Sequence, residues 1–263
     1  MGTKFSTRIW VSVVGIASIF FGSKGYAATV VSVADFGLKP DTGENAVAYV
    51  QKAIEACRGK EPVTLVFPEG RYDFWPQYAH EKNYYETNTY DVFPKRLAML
   101  FEGLHNITVD GSGSQFIMHD RIQPITVENC DGVTLKNFSI DWDIPLTAQA
   151  RVTKVGSNFF EIEINVLESP YIIEDGKLVF VGEGWKSALG SMIEFESDTH
   201  FVVPGTGDLV LGWNWGDYTA VSPRYGIVRL SRKGGFERYP AEGNRLVLRH
   251  STRDHAGIFI CGS

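Results

Sequence analysis

Short runs of alternating apolar and polar residues fill the first half of the chain. Residues 107–109 and 133–135 share an apolar–Thr–apolar pattern that follows polar turn residues, and the two runs lie 26 positions apart. Alternation sends successive side chains to opposite faces of a strand. Because 26 residues is the size of one coil of a β-solenoid, the pattern predicts stacked parallel strands with a shared apolar interior.

An amphipathic run precedes these strands. Apolar residues recur at helical spacing at Val47, Val50, Ile54 and Cys57, which indicates a helix over 46–57. The first coil of a solenoid needs a cap because its apolar face would otherwise meet water. We therefore predict an all-β fold, a right-handed parallel β-helix with an N-terminal capping helix.

The pattern changes after Pro145. Longer alternating runs at 149–155 and 159–166 flank a Gly-Ser-Asn turn, which is a hairpin signal, and the short pattern returns at 246–250. This predicts an inserted antiparallel, barrel-like β domain. Because nothing resembling a C-terminal cap follows, we expect a solenoid truncated at its C-terminus. The predicted divisions are 1–27 (signal peptide), 28–145 (cap and first coils), 146–244 (inserted domain) and 245–263 (resumed β-helix, incomplete).

The N-terminus has the pattern of a secretory signal. Lys4 and Arg8 precede an apolar run at 9–21, and small residues follow at 25–27. The run is short for a membrane span, although a membrane anchor is the alternative. We expect a secreted or periplasmic bacterial protein that has no membrane association after signal cleavage.

The net charge and the cysteine spacing argue against nucleic acids and metal ions as binding partners. Twenty-five Lys and Arg residues against 31 Asp and Glu residues give a net charge of -6, and the absence of a basic cluster argues against nucleic-acid binding. Cys57, Cys130 and Cys261 lack metal-ligand spacing. They are predicted to be buried apolar residues, with one disulfide as the alternative. No metal or cofactor is predicted, and the oligomeric state is left open.

Four motifs carry a resemblance to a known family. They are VADFG at 33–37, FPEGRY at 67–72, NFSIDWD at 137–143 and RDHAGIF at 253–259. The first two are shared by many β-helix enzymes, whereas the last two are more specific. From about residue 30 to residue 263, the chain resembles the N-terminal part of glycoside hydrolase family 110, the bacterial α-1,3-galactosidases, some of which act on the blood-group B antigen.

The resemblance implies a β-helix with barrel-like insertions and metal-free hydrolysis with inversion. It also implies that the catalytic acids lie beyond residue 263, so this fragment alone is expected to be inactive. The expected partner is an oligosaccharide or glycan that ends in α-1,3-linked galactose. Two alternatives stay open: another β-helix polysaccharide hydrolase or lyase, and a non-catalytic carbohydrate-binding or structural solenoid.

Asp141 and Asp143 are weak candidates for a catalytic pair. Glycoside hydrolysis uses two carboxyl groups, which stand roughly 6.5–9.5 Å apart in inverting enzymes. Residues two apart in a strand share a face at about 6–7 Å, and Trp142 between them is a candidate sugar-binding residue. The alternative is a turn, because Asp before Ile-Pro is common turn chemistry.

Arg253, Asp254 and His255 form a second polar group, just before a predicted strand. Their side chains can exchange hydrogen bonds with sugar hydroxyls, and Asp254 is also a weak catalytic candidate. The alternative is a surface turn with a local ion pair of little energetic value. A third group, residues 119–121, is predicted to be a solvated turn.

Overall fold

The computed structural model describes residues 28–86, 93–206, 218–250 and 255–263. Their regular secondary structure is almost entirely β-strand, with one α-helix, α1 (Val47–Glu55), and a 3-10 turn at Val33–Phe36. The predicted signal peptide at 1–27 lies outside the described residues and stays a prediction. Within the described ranges, no helix is both long enough and apolar enough to cross a membrane.

Seventeen strands are present in the described part of the chain. In chain order they are β1 (Thr29–Ser32), β2 (Val63–Val66), β3 (Arg71–Phe74), β4 (His80–Lys82), β5 (Lys95–Glu102), β6 (Ile107–Met118), β7 (Gln123–Glu128), β8 (Thr134–Trp142), β9 (Ala148–Val155), β10 (Phe159–Ile164), β11 (Tyr171–Glu174), β12 (Lys177–Gly182), β13 (Trp185–Phe195), β14 (Tyr218–Arg224), β15 (Ile227–Arg232), β16 (Arg245–His250) and β17 (Ile258–Cys261).

A five-stranded parallel sheet is built around β6. The strand β2 pairs with the first part of β6, β3 pairs with its last part, and β8 pairs along its other edge, while β1 pairs with β2. The register joins Val109 to Leu135, the spacing that the sequence pattern indicates. Since alternate residues point inward, Ile107 and Val109 are completely buried, and so is Phe116 beyond the register shift between Asp110 and Ser114.

A second sheet faces this one. Its strands β5, β7 and β17 are parallel, and β4 adds an antiparallel edge. The helix α1 lies where the sequence predicts a helix over 46–57, and its Val47, Val50 and Ile54 side chains join the common core. Among the three cysteines, Cys57 and Cys130 are buried, and all three are free thiols.

The largest sheet is antiparallel and nearly closes on itself. Its eight strands lie in the order β11-β12-β13-β16-β9-β10-β15-β14. The Ala220 amide of the edge strand β14 donates to the Gly176 carbonyl beside β12 at 2.7 Å, and Tyr218 Oη accepts from the Leu178 amide at 3.3 Å. These bonds bring the two edges together around a second apolar core that is separate from the first.

The prediction of a right-handed parallel β-helix is therefore wrong. The described chain is all-β, but parallel pairing is confined to two short sheets, and the largest sheet is a near-closed antiparallel barrel. The physical reason is that alternation and a 26-residue spacing specify parallel neighbours, such as Thr108 and Thr134. They carry no information about whether such neighbours continue into a solenoid.

Candidate functional site

A buried histidine stands at the C-terminal end of β6. The His119 side chain is 7% exposed and lies between two carboxylates: Nε2 is 2.8 Å from Asp73 Oδ1, and Nδ1 is 3.2 Å from Glu183 Oε2. A carboxylate only accepts hydrogen bonds, and both ring nitrogens are donors only in the imidazolium form. The ring is buried between two hydrogen-bonding carboxylates, and the prediction of a solvated turn is therefore wrong for this residue.

The neighbouring strand β3 supplies a guanidinium group to the same cluster. The Arg71 guanidinium binds Asp73 at 2.6 Å through Nη2 and at 2.9 Å through Nε, and Nη2 lies 3.4 Å from Asp143 Oδ1. Burial alone raises the pKa of Asp73, but the hydrogen bonds from Arg71 and His119 outweigh it, so the pKa lies below its ordinary value. Asp73 therefore remains a carboxylate at neutral pH.

Glu183 ties the antiparallel barrel to this cluster. It lies in the turn between β12 and β13, and its Oε1 accepts a 2.8 Å hydrogen bond from Trp75 Nε1. The Trp75 ring stacks on His119 with a centroid distance of 3.8 Å and an interplanar angle of 11°. The two stacked rings thus hold one oxygen each of the same carboxylate.

A cleft of about 260 Å³ opens beside this contact. This volume is close to the lower end of the range of ligand pockets, about 300 Å³. It lies where the turn after β6, the β12–β13 turn and the segments before β5 and β17 meet. The lining residues are Phe93, Pro94, Arg96, Asp120, Arg121, Gly184 and His255.

His255 brings an unpartnered polar atom to the cleft. Its Nδ1 is buried and has no hydrogen-bond partner among the residues that the structure describes. Burial, together with the smaller contribution of the positive charges of Lys95 and Arg121, lowers the pKa of His255 to about 4. The ring is therefore neutral at pH 7 and can donate one hydrogen bond and accept another.

The cleft combines donors and acceptors that suit a polyhydroxylated ligand. Arg96 and Arg121 supply guanidinium donors, Asp120 supplies a carboxylate, and His255 supplies a neutral imidazole. Asp120 also accepts the Arg121 amide through Oδ1 at 2.7 Å, which fixes its side chain. Asp120 is the single carboxylate among the described lining residues, so the cleft as described provides recognition and one acid or base. In the described ranges, no group of three or more His, Cys, Asp or Glu side chains is placed to hold a metal ion.

The two aspartates that the sequence pairs have different surroundings. Asp141 is exposed, and its Oδ1 accepts the Trp142 amide at 2.8 Å, whereas Asp143 joins the Arg71 and His119 cluster. Trp142 packs against the core of the parallel sheets, and its buried Nε1 has no hydrogen-bond partner within the described ranges. The roles predicted for these residues stay predictions.

Of the second predicted group, His255 lines the cleft, while Arg253 and Asp254 lie outside the described residues. Sequence reasoning missed Glu183 and the contribution of Arg96.

Comparison with known proteins identifies the antiparallel sheet and a set of relatives. Residues 148–246 match the family model described as GLAA-B beta-barrel domain I. The chain is 58% identical over 236 residues to alpha-1,3-galactosidase B of Bacteroides thetaiotaomicron. The aligned region covers 89% of this chain and 38% of that protein.

More distant relatives carry similar names. Alpha-1,3-galactosidase A of Shewanella woodyi is 33% identical over 85% of this chain and 36% of its own length. Alpha-1,3-galactosidase A of Bacteroides fragilis is 33% identical over 89% of this chain and 38% of its own length. The chain thus spans less than half the length of each of these relatives.

Proposed function

Since this chain belongs to the family of the bacterial α-1,3-galactosidases, we propose that the gene product containing it is a glycoside hydrolase that removes terminal α-1,3-linked galactose from glycans such as the blood-group B structure. The observation that carries the proposal is the 58% identity over 236 residues with a protein named alpha-1,3-galactosidase B. Similarity at this level, sustained over 89% of the chain, supports a common chemistry.

The cleft beside Gly184 is the proposed contact with the galactose ring. Arg96 and Arg121 donate to ring hydroxyls, Asp120 accepts from them, and His255 does either. The unpartnered Nδ1 of His255 supports this assignment, because a buried polar atom costs free energy until a ligand or water satisfies it. Arg253 and Asp254 stay proposed sugar-binding residues.

Hydrolysis with inversion is part of the proposal. It requires one carboxylic acid to protonate the leaving oxygen and a second carboxylate, roughly 6.5–9.5 Å away, to activate water. The described lining supplies one carboxylate, Asp120. We therefore expect the 263-residue chain by itself to bind galactosides without turning them over. Export through the leader at 1–27, with action outside the cytoplasm, is proposed as well.

The test measures galactose release by the gene product that contains this chain. The substrate is the α-1,3-linked digalactoside, and the matched control substrate is its α-1,4-linked isomer. We expect release from the first only, and proton NMR should detect β-galactose as the first product, as inversion requires. Absence of release from the α-1,3-linked substrate would refute the hydrolase.

The alternatives are separate outcomes of the same assay. Binding of the digalactoside without turnover would favour a carbohydrate-binding protein. Cleavage of a uronic-acid polysaccharide with formation of an unsaturated product would favour a lyase. α-Galactose as the first product would leave the galactosidase in place but refute inversion.

A further inference from the structure

The β12–β13 turn is attached to the parallel sheets through one side chain. The Glu183 side chain is 56% exposed, yet both of its oxygens are bound, Oε1 by Trp75 Nε1 at 2.8 Å and Oε2 by His119 Nδ1 at 3.2 Å. A hydrogen bond whose acceptor is an ionised carboxylate is of the stronger, charge-assisted kind. The stack of Trp75 on His119 fixes the two donors relative to each other.

The next residue of the same turn forms part of the cleft wall. Gly184 has a φ of +74°, and a Cβ at this position would lie 2.4 Å from Asp120 Oδ2. The turn therefore lies so close to Asp120 that only glycine fits at position 184 without a shift of the Asp120 carboxylate. A small displacement of residues 183–184 would change the width of the cleft at the carboxylate that faces the ligand.

We propose that Glu183 is a positioning residue whose carboxylate, held by Trp75 and His119, keeps Gly184 against Asp120 and so sets the affinity of the cleft for its sugar. The inference rests on the proposed function, since the ligand is the α-1,3-linked galactoside. It assigns to a barrel turn a role in sugar binding, although Glu183 itself does not line the cleft.

The surroundings of His119 show why the removal of Glu183 should leave the fold intact. Its Nε2 is bound to Asp73, which Arg71 also binds. Its Nδ1 faces Glu183 and, at 4.0 Å, Asp143 Oδ2. When Glu183 is removed, Asp143 is the nearby acceptor for the Nδ1 proton. The buried ring therefore keeps acceptors on both sides, and its burial remains supported.

The test compares Glu183→Ala with a matched control, Glu174→Gln. Glu174 makes a 2.9 Å ion pair with Lys186 on the same sheet, and both side chains are about half exposed. Neither residue lines the cleft. In the gene product that contains this chain, we expect Glu183→Ala to raise KM for the α-1,3-linked digalactoside about tenfold with kcat within about twofold. Glu174→Gln should leave both constants unchanged.

Two further measurements report on the turn itself. Amide hydrogen exchange of residues 182–185 should become faster in Glu183→Ala and stay as in the wild type in Glu174→Gln. Trp75→Phe keeps an aromatic ring to stack on His119 but removes the Nε1 donor, so it should raise KM by about threefold. This variant preserves the test if Glu183→Ala fails to fold.

Each outcome decides the inference. Unchanged KM in a folded Glu183→Ala or Trp75→Phe variant overturns it, as does an equal rise in Glu174→Gln. Unaltered exchange of residues 182–185 in Glu183→Ala would also overturn it, because the turn would then be held by other contacts. If the wild-type protein neither cleaves nor binds the digalactoside, both the proposed function and this inference are overturned. If the wild type is active and the variants have unchanged constants, the inference alone is overturned.

Discussion

Acid is predicted to destabilise the fold through two histidines before most carboxylates are protonated. Burial lowers the pKa of His250 and of His255 from 6.5 to about 4. In the unfolded chain each ring takes up its proton near pH 6.5, whereas in the folded chain each takes it up only near pH 4. The unfolded state therefore binds more protons between these values, and stability falls as pH falls through this window.

The size of the stability loss follows from how far folding lowers the pKa of each histidine. A lowering of about 2.5 pH units, at about 1.4 kcal/mol for each unit, corresponds to about 3 kcal/mol for each histidine. The net stability of a typical domain is about 5–15 kcal/mol, so two such rings remove a large part of it. Below about pH 4 a further loss begins, because Asp73, whose pKa is lowered, must then be protonated.

Urea denaturation followed by fluorescence between pH 7.5 and pH 4.5 measures this dependence. We expect His255→Asn to lower stability at pH 7.5 but to lose stability less steeply with acid, because the variant lacks one of the two protonation events. Exposed His80 provides the matched control: His80→Asn should follow the wild-type curve. The reasoning is refuted if His255→Asn and the wild type lose stability equally between pH 6.5 and pH 4.5.

Three further predictions concern packing and reactivity. Phe116, which is fully buried among other aromatic rings, should lose about 3–5 kcal/mol of unfolding free energy as Phe116→Ala and clearly less as Phe116→Leu; a loss below about 1 kcal/mol would contradict the close packing. Gly184→Ala should cost about 1 kcal/mol or more, since the new Cβ meets Asp120 and the φ is positive, and thermal melting equal to that of the wild type would contradict this. Burial raises the pKa of the Cys57 thiol to about 11, so it should react with a disulfide reagent only as fast as the protein unfolds; rapid labelling of the native protein would show that the site is open.

Local structure was the part of the fold that the sequence could predict. The helix follows from apolar residues at Val47, Val50 and Ile54, and the pairing of Val109 with Leu135 follows from matching strand patterns. Both depend on contacts between residues that are close in sequence or in an evident repeat. The continuation of the parallel strands into a solenoid was predicted wrongly, because strand alternation is the same in a solenoid and in a short parallel sheet.

The candidate site was predictable only where one motif carried it. His255 was identified from the RDHAGIF motif, and it lines the cleft. Glu183 and Trp75 lie 108 positions apart in sequence, and neither has a local pattern that marks it as functional. Their hydrogen bond depends on where the barrel sits against the parallel sheets, which is a property of tertiary packing that no local pattern encodes.

The route of the chain through the barrel has an evolutionary consequence. Its first strand, β9, and its last, β16, are direct neighbours that pair Ala148 with Leu248. On the other side of the junction, β7 and β17 pair Ile125 with Ile258 as if the intervening residues were absent. Since entry and exit stand side by side, a single recombination cassette can be gained, lost or exchanged here without separating the flanking parallel strands.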